Sequence, residues 1–374
     1  MNTEIGEKSS VWAIGFMSGT SVDAVDAAII RTDGVQVFEF GPVAERVYTA
    51  EERDAIFEAT HAARAWNWQG EPPTQAFGAA LEALTKAHKQ AFDDAIAQCD
   101  PGKKPELAGV HGQTVLHKSP AGGRIGATLQ ILNAADLRSA LGIPMVYDFR
   151  SADVAAGGQG APLAPVYHQA LARDLNHPIA VLNLGGVANI TYLNGDEIFG
   201  FDCGPANGPI DEWVSQHHQG RYDADGSAAA RGSVNAERLA QWMDLPFFKA
   251  SYPKSLDRYD FNAGLADGLS FEDGAATLTA LSAAGVASGL SLLPERVTKI
   301  VVCGGGRRNP VLLEQLRLRC GVEVVTSEDE GWRGDSIEAE AFALLAVRSV
   351  RGLPLSFPGT TGVKQPLTGG QRLD

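Results

Sequence analysis

Residues 11–30 read VWAIGFMSGTSVDAVDAAII, and this segment carries the strongest fold signal in the chain. Two apolar runs, 11–17 and 25–30, flank the polar segment Ser18-Gly19-Thr20-Ser21, which is typical of a β-hairpin. Such a tip places backbone amides and hydroxyl groups at one sharp turn, as a phosphate group with several acceptor oxygens requires. No Gly-Lys-Ser/Thr follows, so this is not a Walker A loop. The alternative interpretation is an ordinary polar hairpin turn.

The same layout occurs again further along the chain. Residues 179–193 read IAVLNLGGVANITYL, in which Gly185 and Gly186 separate two apolar runs. Residues 299–306 repeat the first half, because an apolar run ends there in three consecutive glycines before a predicted helix over 310–319. Two glycine-bearing hairpins can hold a polyphosphate, and the third turn can admit a base and ribose close to the backbone. Together they favour ATP.

The remaining pattern indicates a mixed α/β chain, since short apolar runs ending in glycine alternate with Ala- and Leu-rich helical stretches. At about 150 residues per domain, 374 residues indicate two domains. We expect an N-terminal domain over 1–140 with the first hairpin and a C-terminal domain over 141–335 with the second. A predicted helix begins at residue 336, and we expect 336–374 to return to the first domain.

The composition excludes several classes of protein. The 31 Lys and Arg against 45 Asp and Glu give a net charge of −14, which argues against general attraction to nucleic acid or an anionic membrane surface. The four cysteines form no Cys-x-x-Cys pair and have no histidine at zinc spacing, so neither a disulfide framework nor a structural metal site is favoured. No apolar run approaches the roughly 18 residues of a membrane helix. We therefore expect a cytoplasmic protein with no nucleic-acid or membrane partner.

Two further segments carry candidate chemistry. Residues 200–205 read GFDCGP and place the carboxylate of Asp202 directly after the second hairpin, where it can act as a general base for the attacking oxygen. Residues 148–163 read DFRSADVAAGGQGAPL, which suits a polyhydroxylated, anionic ligand with Arg150 on a carboxylate. The alternatives are a turn-stabilising aspartate in the first case and a structural Asp–Arg pair followed by a linker in the second. His111, at another strand end, is either a ligand contact or a structural histidine.

The sequence resembles the anhydro-N-acetylmuramic acid kinases, a branch of the actin, Hsp70 and hexokinase superfamily. The resemblance covers almost the whole chain, and the motifs stand in the family's order. They lie at residues 17–26, 111–114, 148–163, 182–186, 200–205, 222–226, 253–255, 303–306 and 338–343.

The resemblance implies an α/β fold of two domains, each a five-stranded mixed sheet of the ribonuclease H-like type flanked by helices, with ATP in the interdomain cleft. It implies that water attacks C1 of 1,6-anhydro-N-acetylmuramic acid while O6 takes the γ-phosphoryl group of ATP. The products are then N-acetylmuramic acid 6-phosphate and ADP, in peptidoglycan recycling. By motif position Asp202 activates the water, residues 18–25 hold the phosphates and Glu338 helps to bind the sugar. Mg²⁺ and a homodimer are implied as well.

The candidate residues form three groups, and no metal ligand is assigned. The catalytic candidate is Asp202. The candidates for binding ATP are Ser18, Gly19, Thr20, Ser21, Val22, Asp23, Ala24, Val25, Gly185, Gly186, Asn189, Gly304, Gly305, Gly306 and Asn309. The candidates for binding the sugar are His111, Gln113, Asp148, Arg150, Asp153, Gln159 and Glu338.

Two other functions stay open on the residues alone. One is a kinase for a neutral anhydrosugar of the levoglucosan type, which lacks the lactyl carboxylate. The other is an actin- or Hsp70-like nucleotide switch, against which stand the complete 148–163 run and the lack of a peptide-binding extension.

The chain also departs from the family pattern. Ala24, Leu132 and Ala206 stand where the family commonly has glycine, which restricts the backbone, and Asp257 adds a negative charge near the expected anionic sugar.

Overall fold

The computed structural model describes residues 10–120, 124–252, 254–256 and 260–374. The chain divides into two compact units, the first formed by Met1–Arg173 with Ser336–Asp374 and the second by Asp174–Asp335. The sequence places the division near residue 140, whereas the structure places it after Arg173. The reason is that the strand at Met145–Tyr147 pairs with a strand of the first unit and so keeps the segment after residue 140 in that unit.

The bounds of the described elements follow in chain order; β1–β6, β12, α1–α5 and α12 belong to the first unit. The strands are β1 (Val11–Ser18), β2 (Ala24–Thr32), β3 (Val37–Val47), β4 (Leu107–Lys118), β5 (Ala127–Ile131), β6 (Met145–Tyr147), β7 (Ile179–Leu184), β8 (Val187–Asn194), β9 (Glu197–Pro205), β10 (Lys299–Cys303), β11 (Glu323–Thr326) and β12 (Gln371–Leu373). The helices are α1 (Ala50–Trp66), α2 (Thr74–Ile96), α3 (Ala134–Leu141), α4 (Ser151–Ala155), α5 (Pro165–Leu171), α6 (Asn207–Gln216), α7 (Ser227–Arg231), α8 (Ala236–Met243), α9 (Pro246–Lys249), α10 (Phe271–Leu290), α11 (Pro310–Cys320) and α12 (Ile337–Val350).

The sheet of the first unit has the strand order β12-β6-β4-β1-β2-β3, and β5 pairs with β4 as a seventh strand. The pairs β1–β2 and β2–β3 are antiparallel, whereas β1, β4 and β6 run parallel to one another. The expectation of five strands is therefore wrong for this unit. The far half of β4 extends beyond its pairing with β1 and accepts β5, and the C-terminal strand β12 adds to the edge of β6.

The sheet of the second unit has five strands in the order β11-β10-β7-β8-β9. Its first three strands in chain order are antiparallel neighbours, and β7, β10 and β11 run parallel. This is the same order and direction as β6-β4-β1-β2-β3 of the first unit. The predicted mixed α/β fold with two related sheets flanked by helices is confirmed.

Helix α12 packs closely on the first sheet. A Cβ added to Gly15 of β1 would lie 1.9 Å from the carbonyl oxygen of Ala339, and one added to Gly109 of β4 would lie 2.0 Å from that of Phe342. Glycine at these two positions lets the helix backbone approach the strands, and this contact holds the C-terminal segment in the first unit. None of the described helices is both long enough and apolar enough to cross a bilayer.

Candidate functional site

The first hairpin joins β1 to β2, and its tip is residues 18–23. The N–H of Val22 donates to the carbonyl of Gly19 at 3.1 Å, which closes a turn with Thr20 and Ser21 exposed at its corner. Val22 has a φ of 54°, which is rare for a β-branched residue, and its side chain is buried in the hydrophobic core. Such conformations persist only where the surrounding structure imposes them, and they concentrate at ligand sites. The tip therefore has one imposed shape.

Two side chains that the sequence assigns to different ligands contact each other. The buried hydroxyl of Ser18 donates to Oε1 of Gln113, and Nε2 of Gln113 donates to the carbonyl of Gly19 at 3.2 Å. Ala24 and Val25, which follow the tip, are buried at the start of β2. The groups of this tip that face solvent are thus the backbone around Gly19, the segment 20–21 and the side chain of Asp23.

His111 and Arg150 form the centre of a second cluster in the first unit. Nε of Arg150 donates to Nε2 of His111 at 2.9 Å, and Nη1 donates to the carbonyl of Gly160. Nδ1 of His111 lies 2.8 Å from the carbonyl of Gly112, so the ring is neutral with its proton on Nδ1. Burial, and then the charge of Arg150, hold the pKa of His111 well below its usual range. His111 is therefore a fixed acceptor that orients the guanidinium.

The loop 157–160 is tied to the rest of the unit by Asp153. This buried carboxylate accepts hydrogen bonds from the N–H of Gly160 and the hydroxyl of Thr361. The backbone N–H of Gln159 donates to the carbonyl of Thr361 at 2.7 Å. Both oxygens of Asp153 are thus engaged within the protein, and its contribution to a ligand site is to shape this loop.

Asp148 and Glu338 are the two other acidic residues that the sequence assigns to the sugar; both belong to the first unit. Asp148 has a φ of 53° and accepts a hydrogen bond from the side chain of Gln371 at 2.7 Å. Glu338 lies in the first turn of α12 with its side chain exposed, and its negative charge raises the pKa of Arg150. Burial has the larger, opposite effect and lowers the pKa of Arg150 to about 10, so the guanidinium stays charged at neutral pH.

The second hairpin joins β7 to β8 through Gly185 and Gly186, and the start of α6 fixes it. The N–H of Asn207 donates to the carbonyl of Gly185 at 2.9 Å, and the N–H of Gly208 donates to that of Gly186 at 3.1 Å. The Asn207 side chain also donates to the carbonyl of Leu184 at 2.9 Å. Among the described residues, no atom lies within 4 Å of the position that a Cβ of Gly186 would take. The turn is held from one side while its other side is open to a ligand.

The third glycine turn follows β10. Gly304 has a φ of 75°, and a Cβ added there would lie 2.3 Å from Oδ1 of Asn183. A Cβ added to Gly306 would lie 2.6 Å from the Cβ of Leu184. Packing against β7 therefore requires glycine at both positions. At Gly305, apart from its two chain neighbours, the nearest described atom lies 3.9 Å from the position that a Cβ would take, so the backbone of this residue can be approached closely.

Two polar residues near this turn cap helices. The side-chain oxygen of Asn309 accepts hydrogen bonds from the first N–H groups of α11 at 3.0 and 3.1 Å, as an N-cap residue does. The carboxylate of Asp223 accepts from the N–H groups of Ala228 and Ala229 at 2.7 and 3.0 Å. The side-chain oxygen of Asn309, which the sequence assigns to ATP, is thus engaged by its own helix.

Asp202 lies in β9 opposite Asn189 of β8, next to a bulge formed where the register shifts between Ala188 and Asn189. Bulges re-aim neighbouring side chains. Oδ2 of Asp202 accepts the N–H of Leu256 at 2.8 Å, and its backbone N–H donates to the carbonyl of Lys254 at 3.0 Å. Burial raises the pKa of Asp202 to about 6 against the opposing effect of the Leu256 N–H. This half-buried carboxylate can accept a proton near neutral pH.

The side chain of Lys254, another residue of the family motifs, faces Phe247. Its amine donates to the Phe247 carbonyl at 3.1 Å and lies 4.6 Å from the centre of the ring. Lys254 thereby anchors the segment that holds Asp202. Asp257 lies outside the described residues.

The glycine turns of the second unit fit a nucleotide. The glycine backbones at 185–186 and at Gly305 have open space where a side chain would stand, as close approach of phosphates and ribose requires. Within the described ranges no group of three or more His, Cys, Asp or Glu could hold a metal ion. Magnesium carried by a nucleotide needs only one or two protein carboxylates in addition to the phosphates. Binding of ATP together with Mg²⁺ therefore does not require such a cluster.

Comparison with known proteins supplies the family. The model of the family described as anhydro-N-acetylmuramic acid kinase matches residues 11–373. The chain belongs to the anhydro-N-acetylmuramic acid kinase family. A kinase of that name from Rhizobium rhizogenes is 49% identical over 370 residues, covering 96% of this chain and 98% of the relative. One from Caulobacter vibrioides is 49% identical over 363 residues, covering 96% and 97%. The resemblance drawn from the motifs is confirmed.

None of the three replaced glycines requires a left-handed backbone conformation, because Ala24, Leu132 and Ala206 all have negative φ. Ala206, with a φ of −124° and a ψ of −113°, nevertheless lies outside the regions that residues with a side chain usually adopt. Sequence reasoning missed two residues that shape the turns. Asn207 stands two residues after the 200–205 motif, and that proximity was its only signal. Tyr48 lies 2.9 Å from the Ser18 hydroxyl and belongs to no motif.

Proposed function

We propose that the protein is an ATP-dependent kinase that opens the 1,6-anhydro bridge of 1,6-anhydro-N-acetylmuramic acid with water and phosphorylates O6. Family membership supports the substrate class. The observation that carries the chemistry is Asp202, a half-buried carboxylate with one oxygen anchored by the Leu256 N–H and a pKa of about 6. A general base is most effective when its pKa lies near the working pH.

In the proposed mechanism Asp202 removes a proton from the water that attacks C1 of the sugar. The new C1–O bond forms as the C1–O6 bond breaks, and O6 becomes the acceptor of the phosphoryl group. ATP supplies that γ-phosphoryl group, and Mg²⁺ bound with the nucleotide would neutralise part of the phosphate charge. The backbone amides of the turn 185–186 are suited to phosphate groups, and so, in the first unit, are those of the tip 18–23. Amides held in place in this way stabilise charge without reorganisation during the reaction. Gly305 admits the nucleoside near the backbone.

We propose that Arg150 reads the lactyl carboxylate of the sugar. His111 and Gly160 engage Nε and Nη1, and among the described residues no hydrogen bond to Nη2 is found. A charge-assisted hydrogen bond contributes about 1.5–3 kcal/mol, which corresponds to about 10- to 150-fold in catalytic efficiency. The acidic anhydrosugar should therefore be preferred over levoglucosan by that margin. Equal efficiency for the two sugars would favour the neutral-sugar kinase.

Reaction in ¹⁸O-labelled water tests the coupled mechanism. The reaction is quenched before the anomeric oxygen exchanges with solvent, and the products are analysed by mass spectrometry. Label at C1 and none in the phosphate is the expected result. Label in inorganic phosphate alone would indicate an ATPase and favour the nucleotide switch. A phosphorylated product that keeps its anhydro bridge would show transfer to another hydroxyl and overturn the mechanism.

The family resemblance also supports a cytoplasmic homodimer, which we include in the proposal. Sedimentation equilibrium of the purified chain measures the oligomeric state, and a mass of about 79 kDa, twice the 39.5 kDa of one chain, is expected. A mass of one chain at micromolar concentration would contradict the dimer.

A further inference from the structure

The tip of the first hairpin is held by a chain of directional hydrogen bonds. Oε1 of Gln113 can only accept, so the Ser18 hydroxyl must donate to it. The Tyr48 hydroxyl, 2.9 Å from Ser18 Oγ, then donates to Ser18. The chain ends where Nε2 of Gln113 donates to the carbonyl of Gly19. It thus runs from Tyr48 through Ser18 and Gln113 back to the tip.

Tyr48 contacts the tip at both of its ends. Besides the hydroxyl contact with Ser18, its backbone N–H donates to the carbonyl of Asp23 at 2.9 Å. The ring is buried in the same hydrophobic core as Val22. Burial raises the pKa of Tyr48, so the hydroxyl keeps its proton and stays a donor at physiological pH.

The position of Tyr48 is fixed by the junction between β3 and α1. The next residue, Thr49, is the N-cap of α1 and forms a capping box with Glu52, whose carboxylate also accepts from Arg46 at 2.7 Å. Reciprocal capping of this kind restrains the chain that enters the helix. From the same helix, Arg53 lies 3.6 Å from the carboxylate of Asp23. A rigid junction is therefore attached to the hairpin tip at three points.

We propose that Tyr48 and Gln113 are positioning residues that hold the tip 18–23 in the conformation in which its amides bind a phosphate group. This rests on the proposed function and assigns Gln113 to the hairpin in place of the sugar. Neither side chain touches the phosphate. Their hydrogen bonds, together with the buried side chain of Val22, impose the left-handed conformation that Val22 adopts. A preorganised tip loses less free energy on binding because its order exists beforehand.

The test uses Tyr48→Phe in the full chain, which removes one hydroxyl and keeps the buried ring. Native-state hydrogen exchange of ligand-free protein reports on the tip through the N–H groups of Val22 and Tyr48, both bonded within it. Loss of one hydrogen bond should accelerate their exchange about 2- to 12-fold. Steady-state kinetics should show kcat/KM for ATP lowered by a similar factor, with KM for the sugar unchanged. Ser18→Ala breaks the same chain and should give the same pattern.

Tyr192→Phe is the matched control, because this buried tyrosine lies in β8 of the second unit, at the end far from the glycine turn. It should change neither the exchange of the tip nor the kinetics. A double variant of Tyr48 and Ser18 should be no worse than either single variant, since both break one chain. Unchanged exchange at Val22 in Tyr48→Phe would overturn the proposal whatever the activity. Faster exchange with unaltered ATP kinetics would overturn it too. In either case, formation of C1-labelled sugar phosphate by the wild type in ¹⁸O-labelled water would show that the proposed function itself stands.

Discussion

Replacement of Asp202 by asparagine should raise the stability of the protein while it removes activity. The pKa of Asp202 lies at about 6 in the folded protein, against an ordinary value of 3.8, because burial penalises the charged form. The folded state therefore binds this proton more tightly than the unfolded chain. The resulting stabilisation is complete below about pH 4 and is lost as the pH rises through about 6.

The two pKa values set the size of the effect. At about 1.4 kcal/mol per pH unit, a difference of about two units corresponds to about 3 kcal/mol, with solvent screening making this an upper bound. Asparagine is neutral at every pH and its oxygen can still accept the N–H of Leu256. At pH 8 Asp202→Asn should thus be up to about 3 kcal/mol more stable than the wild type, and at pH 4 the two should be nearly equal. Turnover should fall about 10²- to 10⁴-fold.

Urea unfolding of both proteins at pH 4 and pH 8 measures this difference, since all other titrating groups are shared. Asp94→Asn, at an exposed position of α2, is the control and should change stability by less than about 0.5 kcal/mol at either pH. An Asp202→Asn variant less stable than the wild type at pH 8 would refute the argument, because it would mean that the charged carboxylate stabilises the fold. Nearly normal turnover would remove Asp202 from the mechanism.

Three further outcomes follow from the same geometry. In the wild type, kcat/KM should fall with a single ionisation below about pH 6 as Asp202 is protonated, and a pH-rate profile that stays flat to pH 5 would contradict its role as base. Arg150→Gln should reduce the preference for the acidic over the neutral anhydrosugar by about 10- to 150-fold, measured as the ratio of kcat/KM for the two sugars; an undiminished ratio would place the carboxylate elsewhere. Gly15→Ala should destabilise the protein by about 3 kcal/mol, because its Cβ would lie 1.9 Å from the Ala339 carbonyl oxygen. Gly78→Ala is the control and should stabilise α2 by about 0.5–1 kcal/mol, since no described atom outside its own helix turn lies within 4 Å of the added Cβ. Equal melting temperatures for these two variants would contradict the close packing of α12.

Much of the fold was accessible from the sequence. The hairpins at 11–30 and 179–193 and the glycine turn at 304–306 are local features, in which apolar runs and turn residues within about 15 positions specify strand, turn and strand. The motif order, which is also read along the chain, gave the family. The two additional strands β5 and β12 were not predicted, because a five-residue strand and a three-residue strand at the sheet edges carry too short a pattern to recognise.

The sequence by itself determined where the hairpins with polar or glycine-bearing turns form and that Asp202 follows the second hairpin, because strand and turn propensities depend on residues close together in the chain. Only the tertiary structure decided the partners of these residues. Ser18 meets Gln113 across 95 positions, and Asp153 meets Thr361 across 208. The pKa of Asp202 likewise depends on burial among residues distant in the sequence. Hydrogen bonds and desolvation of this kind arise only once separate elements pack together, and no local pattern of residues encodes them.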